Sequence, residues 1–337
     1  MSQKVAVIGA GSFGTVIADL IAKNGHSVSV WLRDQVHLKE ILASGRNGRY
    51  LSDFIPDQRI RFTGDLALAL RDVDVVFLAI PSKAFRAVLP ELKPFLKKNT
   101  IVVSTAKGIE PGTFKLMSQI VREELPDQAV AALSGPNIAA EIARGELTGS
   151  VIASTSDELN LKIQSLLKSK FFRVYDNKDI YGVELAGAMK NIYAIAAGMS
   201  KALNMGENAR SMLLTRSLAE MSRFAVSKGA NPITFLGLAG VGDLFVTCTS
   251  PLSRNFQLGY EVAKGQSVDA ALAKIAQTVE GMATVKTVVE EARKLDVYMP
   301  LANALYEVLY KQQDILSIVK DLMLGQNNHD VEFSEAK

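Results

Sequence analysis

Short apolar runs alternate with helical patterns through the first half of the chain. The runs are near-continuous in apolar residues, as strands are when both of their faces are covered. Helical spacing lies between them, for example in Phe13 to Lys23 and in Phe85 to Leu96. This alternation predicts an α/β domain with a doubly wound parallel sheet. The predicted strands are Lys4 to Ile8, Ser27 to Leu32, Val73 to Ile80, Thr100 to Ser104, Ala129 to Leu133, Ser150 to Ser154 and Phe171 to Tyr175.

The second half has a different pattern. After about Asp179 only long helical segments follow, broken by Gly206, Gly229, Pro232, Gly237, Gly265 and Pro300. A chain of 337 residues also favours two domains over one. We therefore predict an α/β domain over residues 1–179 and an all-helical domain over residues 180–337, with a polar tail from about residue 325.

Composition and charge exclude several classes of protein. The chain is 48% hydrophobic and 22% charged, which is typical of a globular protein. A net charge of +3 gives no reason to expect nucleic acid or an acidic membrane as a partner. We find neither a signal peptide nor the roughly 20 uninterrupted apolar residues that span a bilayer.

The single cysteine, Cys248, excludes an internal disulfide. It favours a reducing compartment, and we expect a cytoplasmic protein. A catalytic thiol is the alternative, and it is disfavoured because no histidine lies nearby in the sequence.

A glycine-rich turn follows the first predicted strand. Gly9, Gly11 and Gly14 form a G-x-G-x-x-G pattern between that strand and a helix. In such a turn the first glycine permits the tight bend, the second lets a pyrophosphate approach, and the third lets helix and sheet pack closely. The pyrophosphate then meets the N–H groups at the start of the helix. The pattern predicts a dinucleotide site, with a purely structural turn as the alternative.

The end of the second predicted strand bears on the choice of cofactor. Arg33 and Asp34 stand where NAD-specific sites usually place an acid that accepts the ribose hydroxyls. An arginine can instead hold the 2′-phosphate of NADP. Asp34 could also simply cap the next helix. We therefore expect NADP or NAD, with NADPH favoured.

Lys190 lies in a helix of small and apolar residues, where a lysine is unusual. A desolvated amine can exchange a proton near neutral pH, which suits a group that protonates a ketone oxygen during hydride transfer. The alternative is a lysine whose stem lies along apolar surface with its amine in water.

Two further fragments carry candidate chemistry. Asp243 and Thr247 are four residues apart, so on a helix they share a face and could orient the lysine or bind a polyol. An aspartate after glycines could equally be a helix cap. Ser253 is a good N-cap that places Arg254 in a first helical turn, where a cation opposes the helix dipole unless an anion binds. An ordinary surface salt bridge is the alternative for Arg254.

Six motifs occur in order along nearly the whole chain: Gly9 to Gly14, Ala106-Lys107-Gly108, Ser134-Gly135-Pro136, Met189-Lys190-Asn191, Gly240 to Asp243, and Ser253-Arg254-Asn255. Together they resemble those of NAD(P)-dependent glycerol-3-phosphate dehydrogenases, most closely of the bacterial type. The resemblance implies an N-terminal Rossmann domain, a helical C-terminal domain and a homodimer. It also implies reversible reduction of dihydroxyacetone phosphate to sn-glycerol 3-phosphate, which feeds glycerophospholipid synthesis.

The resemblance assigns roles to individual positions. It implies that Lys190 is the catalytic proton donor and acceptor. Nothing in the sequence suggests a metal. The resemblance implies substrate contacts for Lys107, Gly135, Asn137, Asn191, Asp243, Thr247, Ser253, Arg254 and Asn255. It implies cofactor contacts for Gly9, Gly11, Ser12, Phe13, Gly14, Arg33, Lys107, Ala139, Arg254 and Glu280. Asn137-Ile138 stands where related chains often have Ser-Phe or Thr-Phe, and the asparagine can still form a hydrogen bond.

Two rival functions fit parts of the sequence. A β-hydroxyacid dehydrogenase can share both domains and has a Lys-x-x-x-Asn pair, whereas here Asn191 directly follows Lys190 and Ala194 holds the later position. A regulator that senses NAD(P)H without turnover would need neither an embedded lysine nor a phosphate motif.

Overall fold

The computed structural model describes residues 2–275 and 277–325, so the predicted polar tail after Gly325 lies outside the described residues. The chain divides into two compact units. Unit 1 comprises Met1–Lys107 and Lys115–Glu184, and unit 2 comprises Gly108–Phe114 and Leu185–Lys337. No helix in the described ranges combines the length and apolar character that a membrane span requires.

Unit 1 is built on one eight-stranded sheet in the order β3-β2-β1-β4-β5-β6-β7-β8. Every neighbouring pair is parallel except β6 and β7, which are antiparallel. The α/β class is therefore confirmed. The strands are β1 (Lys4–Ile8), β2 (Ser27–Trp31), β3 (Arg61–Thr63), β4 (Val75–Leu78), β5 (Ile101–Ser104), β6 (Ala129–Ser134), β7 (Thr148–Ala153) and β8 (Phe172–Asn177).

The sheet separates two apolar clusters because successive side chains of a strand point to opposite faces. In β1, Val5 and Val7 belong to one cluster, and Ala6 and Ile8 belong to the other. Helices cover both faces, which explains why the strand sequences are apolar at nearly every position. The helices of unit 1 are α1 (Ser12–Lys23), α2 (Gln35–Ser44), α3 (Leu66–Ala69), α4 (Phe85–Leu92), α5 (Met117–Glu124), α6 (Ala139–Ala143) and α7 (Asp157–Leu167).

Three details of unit 1 differ from the sequence prediction. The sheet is not parallel throughout: β7 and β8 run against the other strands, since residues 135–147 contain only the short α6 and the chain returns directly alongside β6. The edge strand β3 was not predicted because its three residues form no apolar run. The helix predicted to Leu96 ends at Leu92, and a 3₁₀ turn follows at Lys93–Phe95, where Pro94 has no N–H group to donate to the preceding helical turn.

A long helix, α8 (Ile180–Ala202), leads from unit 1 into unit 2. Within the described residues, unit 2 contains helices and no strand, which confirms the helical second half. Its other helices are α9 (Glu207–Ser227), α10 (Asp243–Thr249), α11 (Arg254–Ala263), α12 (Val268–Ile275), α13 (Gly281–Lys294), α14 (Pro300–Lys311) and α15 (Ile315–Met323). A 3₁₀ turn at Pro232–Leu236 and a π-helical turn at Leu238–Gly242 precede α10.

Helices α8 and α11 touch backbone to backbone. A Cβ atom on Gly259 would lie 1.8 Å from the carbonyl oxygen of Ile195, and one on Gly198 would lie 2.0 Å from that of Phe256. Neither distance is compatible with a side chain, so glycine at both positions is what permits this crossing. The small residues of α8 therefore serve close packing, and they fix where the first turn of α11 lies.

Candidate active site and cofactor site

The glycine-rich turn has the geometry that its spacing predicts. Gly9 has a φ of 112°, and a Cβ there would lie 2.4 Å from the carbonyl oxygen of Ala79, at the end of the neighbouring strand β4. A Cβ on Gly14 would lie 2.1 Å from the Gly9 carbonyl oxygen, whereas one on Gly11 would meet nothing within 4 Å. The first and third glycines thus close the turn, and the second faces open space at the start of α1. This opening fits a pyrophosphate.

Arg33 and Asp34 behave differently from each other at the end of β2. The Asp34 carboxylate caps α2, accepting from the N–H groups of Val36 and His37 at 2.9 and 3.0 Å, and it also accepts from Arg49 at 2.9 Å. These bonds hold the pKa of Asp34 below its usual value, the bond from the His37 N–H contributing most. The Arg33 side chain is exposed and lies 3.4 Å from Glu91. Asp34 therefore caps α2, whereas the guanidinium of Arg33 is exposed and accessible to a ligand.

Lys190 is buried in the middle of α8, with only 6% of its surface exposed. Its Nζ donates to Asp243 Oδ1 and, at 2.6 Å, to Thr247 Oγ1. Asp243 is itself fully buried, so the ammonium and the carboxylate compensate each other's desolvation. Two alternatives from the sequence are thereby wrong: the lysine does not extend its amine into water, and Asp243 is not a helix cap, because Gly242 is the N-cap residue of α10 and Asp243 lies in its first turn.

Asn191 links the lysine to two other helices. Asn255 Nδ2, in the first turn of α11, donates to Asn191 Oδ1 at 2.9 Å. Asn255 Oδ1 accepts from the N–H of Gly281 at 3.0 Å, at the start of α13. Glu280 directly precedes that helix as its N-cap residue. The hydrogen bonds therefore bring Asn191, Asn255 and the segment that carries Glu280 together beside the lysine.

Arg254 begins α11, and Ser253 caps the helix by accepting from the N–H of Phe256 at 3.3 Å. Both features confirm the predicted helix start. Within residues 2–275 and 277–325, Arg254 forms no ion pair, and the first turn of α11 contains no acidic residue. The described residues therefore give no support to the alternative of an ordinary salt bridge. An exposed guanidinium beside N–H groups of a helix start is a suitable site for a phosphate.

Unit 1 places the other candidate substrate residues around the loops that follow β5 and β6. Lys107 Nζ donates to the carbonyl oxygen of Gly135 at 2.8 Å, which joins the two loops. Asn137 Nδ2 donates to Ser150 Oγ at 3.0 Å, while its buried Oδ1 has no partner among the described residues. Ala139 is the first residue of α6. A buried amide oxygen without a hydrogen-bond partner can accept a hydrogen bond from a bound ligand.

Both halves of the chain match models of one protein family. The model of the N-terminus of NAD-dependent glycerol-3-phosphate dehydrogenase matches residues 4–160, and the model of its C-terminus matches residues 179–320. The chain belongs to this family.

Close relatives of this glycerol-3-phosphate dehydrogenase family member are similar over almost their full length. Glycerol-3-phosphate dehydrogenase [NAD(P)+] of Acinetobacter baylyi is 51% identical over 330 residues, which cover 98% of this chain and 92% of that protein. The enzyme of the same name from Alcanivorax borkumensis is 48% identical, with 98% and 96% covered. The crystal structure of glycerol-3-phosphate dehydrogenase from Coxiella burnetii has a TM-score of 0.92 and 35% identity, with 96% of this chain and 99% of that chain covered. These relatives support the NAD(P) class of cofactor and neither of the two rival functions.

The candidate residues fall into one group in each unit. Unit 1 holds the glycine turn with Ser12 and Phe13 at the start of α1, as well as Arg33, Lys107, Gly135, Asn137 and Ala139. Unit 2 holds Lys190, Asn191, Asp243, Thr247, Ser253, Arg254, Asn255 and Glu280. Their ligand contacts remain predictions.

Sequence reasoning missed a buried carboxyl that supports α8. Glu220 Oε2 accepts from the Tyr193 hydroxyl at 3.1 Å, one helical turn beyond Lys190. Its two oxygens also accept from the N–H groups of Leu301 and Ala302 at 2.5 and 3.2 Å. Burial raises the pKa of Glu220 to about 7. A glutamate in the middle of α9 gave no signal in the sequence, since most such residues face water.

Cys248 is buried close to the lysine and the aspartate of this site. Burial raises the pKa of its thiol to about 12, so the thiol is protonated at neutral pH. Because the thiolate is the nucleophilic form, the structure disfavours the catalytic-thiol alternative.

Proposed function

We propose that this chain catalyses the reversible, NAD(P)H-dependent reduction of dihydroxyacetone phosphate to sn-glycerol 3-phosphate. The observation that carries the proposal is the buried Lys190 ammonium between Asp243 and Thr247, connected through Asn191 and Asn255 to the start of α11. The nicotinamide, when bound, supplies the hydride in reduction and accepts it in oxidation.

Lys190 acts as the general acid in the reducing direction. Its two acceptors fix the position of Nζ, and an ammonium held there can donate a proton to the C2 oxygen as negative charge develops on it. In the oxidising direction the neutral amine takes the hydroxyl proton back. Asp243 stabilises the charged form of the amine, and Thr247 restricts its direction. Because Lys190 is shielded from water, the proton transfer acts on the substrate oxygen with little competition from solvent.

Arg254 binds the phosphate of the substrate. The guanidinium and the N–H groups at the start of α11 together provide charge-assisted donors for its oxygens. The bond between Asn255 and Asn191 links this helix start to the residue next to the lysine. Binding energy from the phosphate therefore helps to position C2, which does not itself carry a charge in the ground state.

The loops of unit 1 supply further substrate contacts in this proposal. Lys107, Gly135 and Asn137 bind polar groups of the triose, with the buried Asn137 Oδ1 accepting from a hydroxyl. Ser12, Phe13 and Ala139 contact the cofactor in this proposal, and Arg254 and Glu280 of unit 2 are further proposed contacts of the cofactor. We further propose that residues 1–179 form the dinucleotide-binding domain and residues 180–337 the catalytic domain.

We infer a preference for NADPH over NADH from the end of β2. The Asp34 carboxylate accepts three hydrogen bonds from protein donors, which compete with the ribose hydroxyls of NAD for its oxygens. The exposed Arg33 can pair with a 2′-phosphate, which only NADPH carries.

We also propose an oligomeric state and a location for the enzyme. The resemblance supports a homodimer whose product enters glycerophospholipid synthesis, and the single buried cysteine supports a reducing, cytoplasmic location. Light scattering on the purified chain tests the dimer directly.

The experiment that tests the activity is an absorbance assay. We expect the purified protein to oxidise NADPH when dihydroxyacetone phosphate is added, and to reverse the reaction with sn-glycerol 3-phosphate and NADP. Binding of NADPH without turnover, over a range of pH and substrate concentration, would contradict the proposal and favour a sensing role.

A further inference from the structure

Asn47 is a fully buried asparagine in the loop that follows α2. Its Nδ2 donates to the carbonyl oxygen of Ala10 at 2.7 Å and to Thr15 Oγ1 at 2.8 Å. Both acceptors belong to the glycine-rich turn and the first turn of α1. Asn47 therefore hydrogen-bonds to the segment that forms the proposed pyrophosphate site, although it lies 37 residues further along the chain.

Asn47 is part of a longer chain of hydrogen bonds. Asn47 Oδ1 lies 2.8 Å from His37 Nε2. Because both amide protons of Asn47 point to the turn, its oxygen is the acceptor and His37 Nε2 is the donor. On the other side, Thr15 Oγ1 donates to the Gly11 carbonyl oxygen at 2.9 Å. A chain of hydrogen bonds thus runs from His37 on α2 to the carbonyl groups of Ala10 and Gly11.

The direction of these two carbonyl groups decides where the neighbouring N–H groups point. No peptide bond among the described residues is cis, and in a planar trans peptide the C=O and the N–H point in opposite directions. Holding the Ala10 carbonyl inward therefore aims the Gly11 N–H outward, and holding the Gly11 carbonyl aims the Ser12 N–H the same way. A Cβ on Gly11 would meet nothing within 4 Å, so the turn is open at the residue between these two N–H groups.

We propose that Asn47, supported by His37, is a positioning residue for the dinucleotide: it fixes the peptides of the glycine turn so that their N–H groups are aimed at the pyrophosphate before it binds. The proposal rests on the proposed function, because it assumes that the turn binds NAD(P)H. Without this asparagine the turn would have to be ordered by the ligand, and part of the binding energy would be lost to that ordering.

The alternative is that Asn47 only stabilises unit 1, and Asn24 provides a matched control for it. Asn24 lies at the opposite end of α1, and its Nδ2 also donates to two carbonyl oxygens, those of Leu166 at 2.8 Å and Lys168 at 3.1 Å. Replacing Asn24 removes two side-chain hydrogen bonds within unit 1, and replacing Asn47 removes three, one of them the bond from His37. Only the replacement of Asn47 removes hydrogen bonds to the glycine turn and to the first turn of α1.

The experiment is a calorimetric titration of NADPH into the full-length wild type, Asn47→Ala, Asn47→Asp and Asn24→Ala, with thermal unfolding recorded for each. We expect the Kd for NADPH to rise at least tenfold in both Asn47 variants and to stay within twofold of wild type in Asn24→Ala. Asn47→Asp keeps the size of the side chain but places an oxygen against the Ala10 carbonyl, so it tests the donors without opening a cavity. With saturating NADPH, kcat should fall less than threefold in the Asn47 variants, since Lys190 is part of the other unit.

The outcomes distinguish a failure of the proposed function from a failure of the positioning role of Asn47. Failure of the wild type to bind either NADPH or NADH would overturn the proposed function, and this inference with it. Normal binding by the wild type and by both Asn47 variants would overturn the positioning role alone. An equal loss of affinity in Asn24→Ala would also overturn it, because affinity would then follow the general stability of unit 1. His37→Gln, which removes the imidazole donor to Asn47 Oδ1 and leaves both bonds from Asn47 to the turn in place, should raise the Kd by a smaller factor than Asn47→Ala.

Discussion

Glu220 makes the stability of unit 2 depend on pH, and the structure gives both the sign and the size of the effect. The carboxyl is 2% exposed, and its pKa is raised from 4.5 to about 7, chiefly by burial. Arg223, three residues further along α9, opposes the shift, and so do the donors Tyr193, Leu301 and Ala302. The pKa of Tyr193 is itself raised by burial, so its hydroxyl stays protonated and donates.

The folded state holds this proton over a pH range in which the unfolded state has lost it. The contribution to stability is therefore fully present below about pH 4.5, and it is lost as the pH rises through about 7. A shift of about 2.5 pKa units (7 minus 4.5) corresponds to about 3 kcal/mol, at 1.36 kcal/mol for each unit. Between pH 5 and pH 8 the free energy of unfolding should fall by about 2 to 3 kcal/mol on account of Glu220.

The perturbation is Glu220→Gln, which replaces the carboxyl by a neutral group of the same shape. Urea unfolding at pH 5, 6, 7 and 8, followed by circular dichroism, gives the free energy of unfolding of each variant. Glu184 in unit 1 also has a pKa raised to about 7, and because both proteins retain it, the difference between them isolates Glu220. The fluorescence of the single tryptophan, Trp31, reports on unit 1 in the same samples.

We expect the pH dependence of the variant to be smaller than that of wild type by the stated amount. Glu207→Gln is the matched control on the same helix, because its carboxyl is 82% exposed and its removal should change the pH dependence little. An unchanged pH dependence in Glu220→Gln would refute the reasoning, since it would mean that the carboxyl is already ionised in the folded protein at pH 5.

Three further predictions concern the site itself. Lys190→Ala should lower kcat by a factor of about 10² to 10⁴ while the Kd for NADPH changes little, and near-normal turnover would remove the lysine from the mechanism. Arg254→Ala should chiefly raise the KM for dihydroxyacetone phosphate, and unchanged kinetics with that substrate would contradict the phosphate site. Arg33→Ala should weaken NADPH more than NADH in parallel steady-state assays, and an equal loss with both cofactors would contradict the role of the 2′-phosphate.

Strands and helices that are marked by their own sequence pattern could be predicted from the sequence. Strand β1 agrees with its prediction at both ends, because a short apolar run before a glycine turn leaves little choice of boundary. The reversed direction of β7 could not be predicted, since an apolar run looks the same in either direction and only its packing beside β6 decides between them.

In the site, too, features that depend on neighbouring residues in the sequence could be predicted, and contacts between distant residues could not. Lys190 could be singled out because its helix is otherwise small and apolar. The sequence could not decide whether Asp243 and Thr247 orient it, since an aspartate after glycines also fits a helix cap. Asn47 gave no signal at all, because an asparagine between Gly45 and Gly48 looks like an ordinary turn residue. Its contacts depend on residues distant in sequence.

The glycine crossing of α8 and α11 has a consequence for substrate length. The main chains of the two helices are in contact at Gly198 and Gly259, so the separation between the backbone at Lys190 and the backbone at Arg254 is set by this contact. Repacking of neighbouring side chains can hardly alter it. A polyol phosphate with one more carbon would have to bend, and an engineer seeking to accommodate it would need to shift a whole helix.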